Sequence, residues 1–283
     1  MSFNLNRIPR PMADPLDSKI YIMHYKKGMV LKNDSLYRPL MCGNALNPEK
    51  ASDNMTGDDS GDNISEKNSF YSELTGAYWV WKNTDHEVTG TCHYRRFYTV
   101  EPEPLFYKIK RFFYYPIGLA AKRYGLIYTD DVDFFSSKIL NQEQLNGLLS
   151  RFDVILPQAR KLRYSVEEHY RRYHDIRDLE ILRSILEEKC PEYLPAFEAV
   201  LQGNRLYANN MFILKREQYQ KFMPWWFGMM FEFERRIDLE NYTGYQKRIL
   251  GFIAERLLTV WFKKEQLNCK ELQLIYFKKF KKE

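Results

Sequence analysis

The run His93-Tyr94-Arg95-Arg96 places an imidazole and two guanidiniums within four residues, directly after a stretch (87–92) that reads as a strand. Guanidiniums hold phosphate through paired hydrogen bonds, and an imidazole can donate to a phosphate or a sugar hydroxyl. In open α/β sheets ligands gather at the carboxyl ends of strands, where this run would fall. Neighbouring arginines on a regular strand point to opposite faces, so one of the two would meet a ligand. The alternative is a basic strand end paired with acids.

Five other groupings carry chemistry. The segment 58–68 collects Asp58, Asp59, Asp62, Asn63 and Lys67 ahead of a helix that opens near Asn68. Helix N-terminal amides with the Lys67 ammonium would suit a diphosphate, and a solvated loop with capping residues is the alternative. The spacing of a calcium loop is absent. Asp131-Val-Asp133 follows the run 125–129. Two carboxylates and two diphosphate oxygens satisfy an octahedral divalent cation, but so short a motif arises by chance and equally suits a cap. Tyr207, Asn209 and Asn210 open a strand, offering amides to sugar hydroxyls and a ring to stack, or simply forming a turn. On a late helical pattern Arg248, Phe252, Glu255 and Thr259 share one face, with Glu255 either a general base or a partner of Arg248. Finally, His169, Tyr173, His174 and Asp178 fall on a helical stretch, with His174 and Asp178 four residues apart, as an acid–base pair or a surface contact. No G-x-S-x-G, Walker loop, H-E-x-x-H or G-x-G-x-x-G occurs, which disfavours the commonest hydrolases, P-loop enzymes, zincins and dehydrogenases.

The elements that must position these groups follow from periodicity. Residues 19–23, 37–43, 87–92, 152–156 and 210–214 read as strands. Phe70, Leu74, Ala77, Tyr78 and Trp81 recur at helical spacing, residues 47–65 form a polar loop, and 142–150 is a short helix. Residues 165–203 are helical but interrupted at Pro191 and Pro195, and two long helical patterns cover 216–237 and 243–264. Strands alternating with helices through the first two thirds predict an α/β sheet, with a mostly helical last third.

Composition bounds the class. The chain has 283 residues, 45% hydrophobic and 28% charged, which excludes wholesale disorder and supplies a core without metals or disulfides. Its longest uncharged stretch in the greasiest region, 112–121, is interrupted by Pro116 and too short for a membrane span. No cleavable signal pattern is visible, and four scattered cysteines suit a reducing compartment, so a cytoplasmic protein is expected. The net charge of +6 is uneven. Residues 105–128 carry five basic residues and no acid, and 261–283 carry seven lysines against three glutamates. The remainder is mildly acidic, which argues against a nucleic-acid binder.

The runs DDSGDNISEKNSFYSELTGAYWVWKN, TGTCHYRRFY, FDVILP, NNMFILKREQY and GFIAERLLTVWF, in this order between about residues 19 and 262, resemble a bacterial family of capsular and exopolysaccharide glycosyltransferases. The resemblance implies a GT-A-like fold: one α/β domain with a mixed central sheet flanked by helices. It also implies transfer of a sugar from a UDP-sugar donor, since some members use UDP-galactofuranose, and galactofuranose or galactose is the sugar expected.

Carried over by residue, His24 and Lys26 match the family's strand-end pair, with Tyr25 inserted between them. Asp62, Asn63, Ser65, Lys67, Asn68 and Tyr94 are implied donor contacts. Glu73 and the Trp79/Trp81 helix match the second motif, with the tryptophans assigned to the core. His93, Arg95 and Arg96 stand where many GT-A enzymes keep a metal-binding D-x-D, so cations would replace the metal in neutralising the leaving UDP. Mn²⁺ or Mg²⁺ is thus not favoured. Tyr207, Asn209, Asn210, His174 and Arg248 are the expected acceptor-side residues, and Glu255 the expected base, with Asp131 or Asp133 behind it. An inverting displacement is the simplest course. The expected organisation is a flexible N-terminus (1–18), the transferase domain (19–264) with a basic aromatic insertion at 105–135, and a basic tail (265–283). Segment 105–128 and the tail would hold the protein at the inner face of the cell membrane, where a polyprenyl-diphosphate-linked glycan acceptor resides. The rival readings are a non-catalytic scaffold of a polysaccharide assembly complex and a nucleic-acid binder.

Overall fold

A computed structural model describes residues 16–47, 51, 54–114 and 125–278. Most of the expected flexible N-terminus, part of the basic aromatic segment (115–124) and the last five residues lie outside the described residues.

The first strand, β1 (Ser18–His24), is buried on both faces. Tyr21 and Met23 point into one core and Ile20 and Ile22 into the other, the period of two that a pleated strand imposes. Parallel to it run β2 (Tyr37–Met41) on one side and β4 (Val88–His93) on the other, and β2 carries the short β3 (Thr56–Gly57). Between β3 and β4 come α1 (Asn68–Tyr71) and α2 (Leu74–Asn83). Gly76 lets α2 lie tightly on the sheet: a Cβ there would stand 2.6 Å from Cys42 Sγ and 2.8 Å from Met23 Sδ.

After β4 the chain reverses at Tyr94-Arg95 into antiparallel β5 (Arg96–Thr99). There follow α3 (Leu105–Tyr114), β6 (Leu126–Thr129), α4 (Val132–Ser136) and α5 (Gln142–Leu149), the last opened by a reciprocal capping box between Asn141 and Gln144. Next are β7 (Val154–Pro157), β8 (Arg160–Lys161), α6 (Val166–Tyr173), α7 (Arg177–Lys189), α8 (Leu194–Gln202), β9 (Arg205–Leu206) and β10 (Ile213–Lys215). The chain closes with α9 (Arg216–Arg236), α10 (Ile249–Glu265) and β11 (Cys269–Phe277).

One mixed sheet runs in the order β10-β7-β11-β5-β4-β1-β2-β3, with β6 on β11 and a further pairing of β10 with β4. β1, β2, β4, β7 and β11 run the same way, and β5 and β10 run against them. The carboxyl ends of the first set and the starts of the second therefore share one edge of the sheet. One face is covered by α2 and the helices from α6 to α10, around Trp226, Trp261 and Phe222, and the other packs on Phe135, Leu145 and Leu149.

The expected α/β architecture with a helical last third is what the chain forms, but the tail is drawn differently. Residues 269–277 are an interior strand paired with β5, β6 and β7. Its apolar residues Leu272, Leu274, Ile275 and Phe277 were masked by the surrounding lysines. The region 105–135 likewise contributes β6 to the sheet.

Candidate active site

At the shared edge, the β4–β5 turn gathers several cationic groups. Arg95 lies in the turn itself, not on a strand, so the opposite-faces rule does not separate it from Arg96. The Arg95 guanidinium covers the Tyr94 ring at 5.0 Å, and that of Arg96 covers Tyr276 of β11 at 5.1 Å. Both Nε atoms are buried without a hydrogen-bond partner among the described residues. His24, at the end of β1, is 2% exposed, packs its ring 5.5 Å from Tyr94 and has a buried Nε2 with no hydrogen-bond partner among the described residues. Burial pushes its pKa down to about 4. Lys26 is exposed, 5.5 Å from the Tyr25 ring.

Next to this group lies a second cluster on the turn before β10. His93 Nε2 is 2.7 Å from the Asn209 carbonyl oxygen. A carbonyl only accepts, so Nε2 carries the hydrogen, and the neutral ring keeps its lone pair on Nδ1. Burial lowers the His93 pKa, with Arg96 and Arg248 adding to the shift against the opposing charge of Glu73. A neutral His93 in this tautomer does not donate to phosphate; it anchors Asn209. The Asn209 N–H donates to Glu255 Oε1 at 2.7 Å, and the Asn210 side chain donates to Glu73 Oε1 at 2.9 Å. Asn209 and Asn210 are both left-handed (φ 77° and 51°), a conformation that Asn tolerates better than most residues.

Arg248 ties this cluster to α1 and α2, donating to Ser72 Oγ at 2.9 Å and Glu73 Oε2 at 3.3 Å. Burial presses the Glu73 pKa up, but His93, Arg248 and the Asn210 hydrogen bond outweigh it, and Glu73 stays below the usual carboxylate range. Glu255 goes the other way. Burial raises its pKa, only partly offset by Arg256 and the Asn209 N–H. Two neighbouring carboxylates with opposed shifts are the pattern of an acid–base site.

The expected face of the last helix is formed. Glu255 meets Asn209, Thr259 Oγ1 accepts from the Tyr207 N–H at 3.0 Å, and Phe252 packs on His174 at 4.2 Å. Tyr207 turns its hydroxyl to Glu271 at 2.8 Å, away from the His93 cluster. The His174–Asp178 pair is not made, because the chain leaves α6 at His174 and re-enters helix at α7. His174 Nδ1 instead pairs with Gln246 Oε1 at 2.9 Å, and buried Asp178 accepts from Tyr170 and Tyr242.

The acidic loop is an internal scaffold. Asp58 is 0% exposed and accepts from the N–H groups of Gly43 (2.8 Å) and Asn44 (2.9 Å) and from the Ser65 hydroxyl. Asn63 accepts from the Ser65 N–H, Asp62 accepts from Tyr78, and Asn68 donates to Ser72 and Thr75. Lys67 reaches Glu234 at 2.8 Å. Asp131 caps α4 by accepting from the Phe134 N–H, and accepts from the Tyr107 hydroxyl at 2.7 Å. Among the described residues, no three His, Cys, Asp or Glu side chains are grouped as a metal site.

Glu73 and Arg256 join the site without having been assigned a role in it. Arg256 was legible as a charge inside the apolar run 249–262. Glu73 sits just ahead of α2, and nothing local distinguishes it from a capping residue.

The architecture is GT-A-like. The chain belongs to the family described as a domain of unknown function (DUF4422), which matches residues 19–266. A solved structure described as the WbbM bifunctional glycosyltransferase in its apo form superposes with a TM-score of 0.80 at 30% identity. That match covers 93% of this chain but 46% of the other, so the chain spans about half the length of that protein. No curated protein matches.

Proposed function

We propose that this chain is a glycosyltransferase domain that moves a sugar, galactofuranose or galactose, from a UDP-linked donor to a lipid-linked glycan of a surface polysaccharide. The observation that carries the reading is a set of nitrogens at one sheet edge that are buried without a partner among the described residues: Arg95 Nε, Arg96 Nε and His24 Nε2. Buried polar groups without partners are rare, and the diphosphate of a sugar nucleotide would satisfy these. The likeness to a bifunctional glycosyltransferase supports the same reading.

In this reading the arginines neutralise the departing UDP in place of a metal. Glu255, its pKa raised by burial, takes the proton of the acceptor hydroxyl as the new C–O bond forms and the sugar–phosphate bond breaks. His93 holds the Asn209 turn against Glu255. The domain works at the inner face of the membrane, docked through α3, whose Leu105 and Phe106 are 71% and 70% exposed beside the exposed Lys108. Among the described residues, no helix is long and apolar enough to cross a membrane.

Calorimetric titration of UDP, with and without Mn²⁺, tests the site. Metal-independent binding that weakens about tenfold or more in Arg95→Ala and Arg96→Ala is expected. Binding only with Mn²⁺ would refute the metal-free site, and absence of UDP binding in both conditions would overturn the donor assignment.

A further inference from the structure

Glu73 is the residue immediately before α2, where a carboxylate would ordinarily bond the first free N–H groups of the helix. It makes no such cap. Its side chain, 13% exposed, is turned instead to Asn210 and Arg248. The preceding residue sets that direction. Ser72 has φ 53° and ψ −129°, a positive φ that is unfavourable for any residue carrying a Cβ. Its polar groups are tied on all sides. The N–H donates to the Asn68 carbonyl at 2.7 Å, and the carbonyl accepts from the Asn68 side chain at 2.7 Å and the Thr75 hydroxyl at 3.2 Å. The hydroxyl accepts from Arg248 Nε at 2.9 Å. A strained residue persists only where its surroundings over-determine it, and such residues gather at functional sites.

The same holds at the other end of the contact. Asn209 and Asn210 are consecutive left-handed residues, and each is gripped by one of the two carboxylates. Glu73 Oε1 accepts from the Asn210 amide at 2.9 Å, and Glu255 Oε1 accepts from the Asn209 N–H at 2.7 Å. The Asn210 amide also donates to the Gly251 carbonyl at 3.3 Å, while the Asn210 carbonyl accepts from the Thr91 hydroxyl at 3.2 Å. Two acceptors on one amide nitrogen fix which way the side chain faces. Because the asparagines are adjacent, whatever holds the Asn210 amide also sets where the Asn209 N–H points.

Resting on the transferase reading above, in which Glu255 is the base, we infer that Glu73 is a positioning residue for transfer: by gripping the Asn210 amide it fixes the turn whose Asn209 N–H holds Glu255 where the acceptor hydroxyl gives up its proton. Ser72 and Arg248 aim Glu73 at that turn. Its charge has a second effect, since an anion near Glu255 favours the protonated form and makes Glu255 the stronger base. Arg256 on the same helix and Arg160 of β8 act against this, and His93 and Arg248 face Glu73 itself.

Hydrolysis of UDP-galactofuranose and UDP-galactose, followed as released UDP, tests the role with water as acceptor. The water oxygen bonds to the anomeric carbon as the bond to UDP breaks, and Glu255 takes the proton. Glu73→Ala should lower kcat by about tenfold to a hundredfold with KM within about twofold. Glu73→Gln keeps an oxygen for the Asn210 amide and should recover most of that loss, with the acid limb of kcat moved to lower pH because Glu255 loses its anionic neighbour. Ser72→Gly, which takes the positive φ without strain, should keep its urea midpoint yet lower kcat about threefold or more. Two readouts need no turnover. Exchange of the Asn209 N–H should be about tenfold faster in Glu73→Ala, and the carboxyl-carbon NMR titration of Glu255, assigned with Glu255→Gln, should move to lower pH in Glu73→Gln. Should Glu73→Ala fail to fold, Glu73→Gln and Ser72→Gly carry the test. A kcat in Glu73→Ala within twofold of wild type, or unchanged Asn209 exchange together with an unmoved Glu255 titration, would overturn the inference. If wild type releases UDP from neither donor, the donor assignment falls, while exchange and titration still decide whether Glu73 acts on Glu255.

Discussion

His93 Nε2 donates to the carbonyl of Asn209 across 2.7 Å, fastening the end of β4 to a turn that begins 116 residues later in the chain. The same residue's N–H holds Glu255, so one left-handed asparagine links the histidine of the most recognisable motif to the carboxylate of the last helix. The backbone of Asn209, rather than its amide side chain, makes these contacts.

A prediction follows for that position. Glycine adopts the left-handed conformation freely, whereas a β-branched residue is strained there by about 1–2 kcal/mol. Asn209→Gly should keep transfer activity within a few-fold of wild type. Asn209→Val should lower the urea midpoint and reduce turnover more than it weakens UDP binding, because it displaces Glu255's partner while leaving Arg95 and Arg96 in place. Equal behaviour of the two variants in unfolding and turnover would show that the backbone conformation is not what matters.

The buried histidines make the fold acid-sensitive. His24 is driven to a pKa of about 4 by burial, below the value of an unfolded histidine near 6.5. The unfolded chain therefore takes up the proton first. The stabilisation is fully present above about pH 6.5 and is lost as pH falls towards 4, amounting to roughly 3 kcal/mol for one such group. His169 and His174 shift in the same direction and to similar values, again with burial as the leading cause. Unfolding free energies at pH 7 and pH 4.5 should converge between His24→Leu and wild type as pH falls, because the variant lacks one of the protons that drive the loss. Parallel acid limbs would exclude His24 as a source.

Much of this was legible in the sequence because it rests on local pattern. The apolar run in 19–23 and helical spacing in 70–81 place β1 and α2, and the HYRR run falls at the ligand edge of the sheet by the general rule for strand ends. What was not legible depends on contacts distant in sequence. The loop at 58–68 reads as a phosphate cradle, yet Asp58 turns inward to hold the Gly43 and Asn44 amides, a choice set by where β2 ends. The four-residue spacing of His174 and Asp178 indicates a pair only if the helix continues, and it breaks at His174 because that ring packs on Phe252 and reaches Gln246. β11 was hidden because Lys270-Glu271 at its start and the lysines that follow it conceal a strand whose pairing partners, β5, β6 and β7, lie far earlier in the chain.

The proposed docking of α3 on a membrane can be tested separately from catalysis. Leu105, Phe106 and Ile109 are exposed on one helix, in a segment whose nearby charges are all basic through residue 128. Neighbouring Tyr107 turns the other way, its hydroxyl bound to Asp131 and its ring stacked on Phe134 at 5.6 Å, which fixes which side faces outward. Inserting one large apolar side chain contributes on the order of 1.5 kcal/mol, so Phe106→Glu should weaken sedimentation with anionic phosphatidylglycerol vesicles by about tenfold. Binding should also fall as salt rises through the range where the Debye length drops below about 10 Å. UDP affinity in the variant should match wild type, since Phe106 is 70% exposed and forms no part of the β4–β5 turn. Vesicle binding that is equal for Phe106→Glu and wild type, or equal on neutral and anionic lipid, would remove α3 as the membrane contact and leave the transferase reading intact.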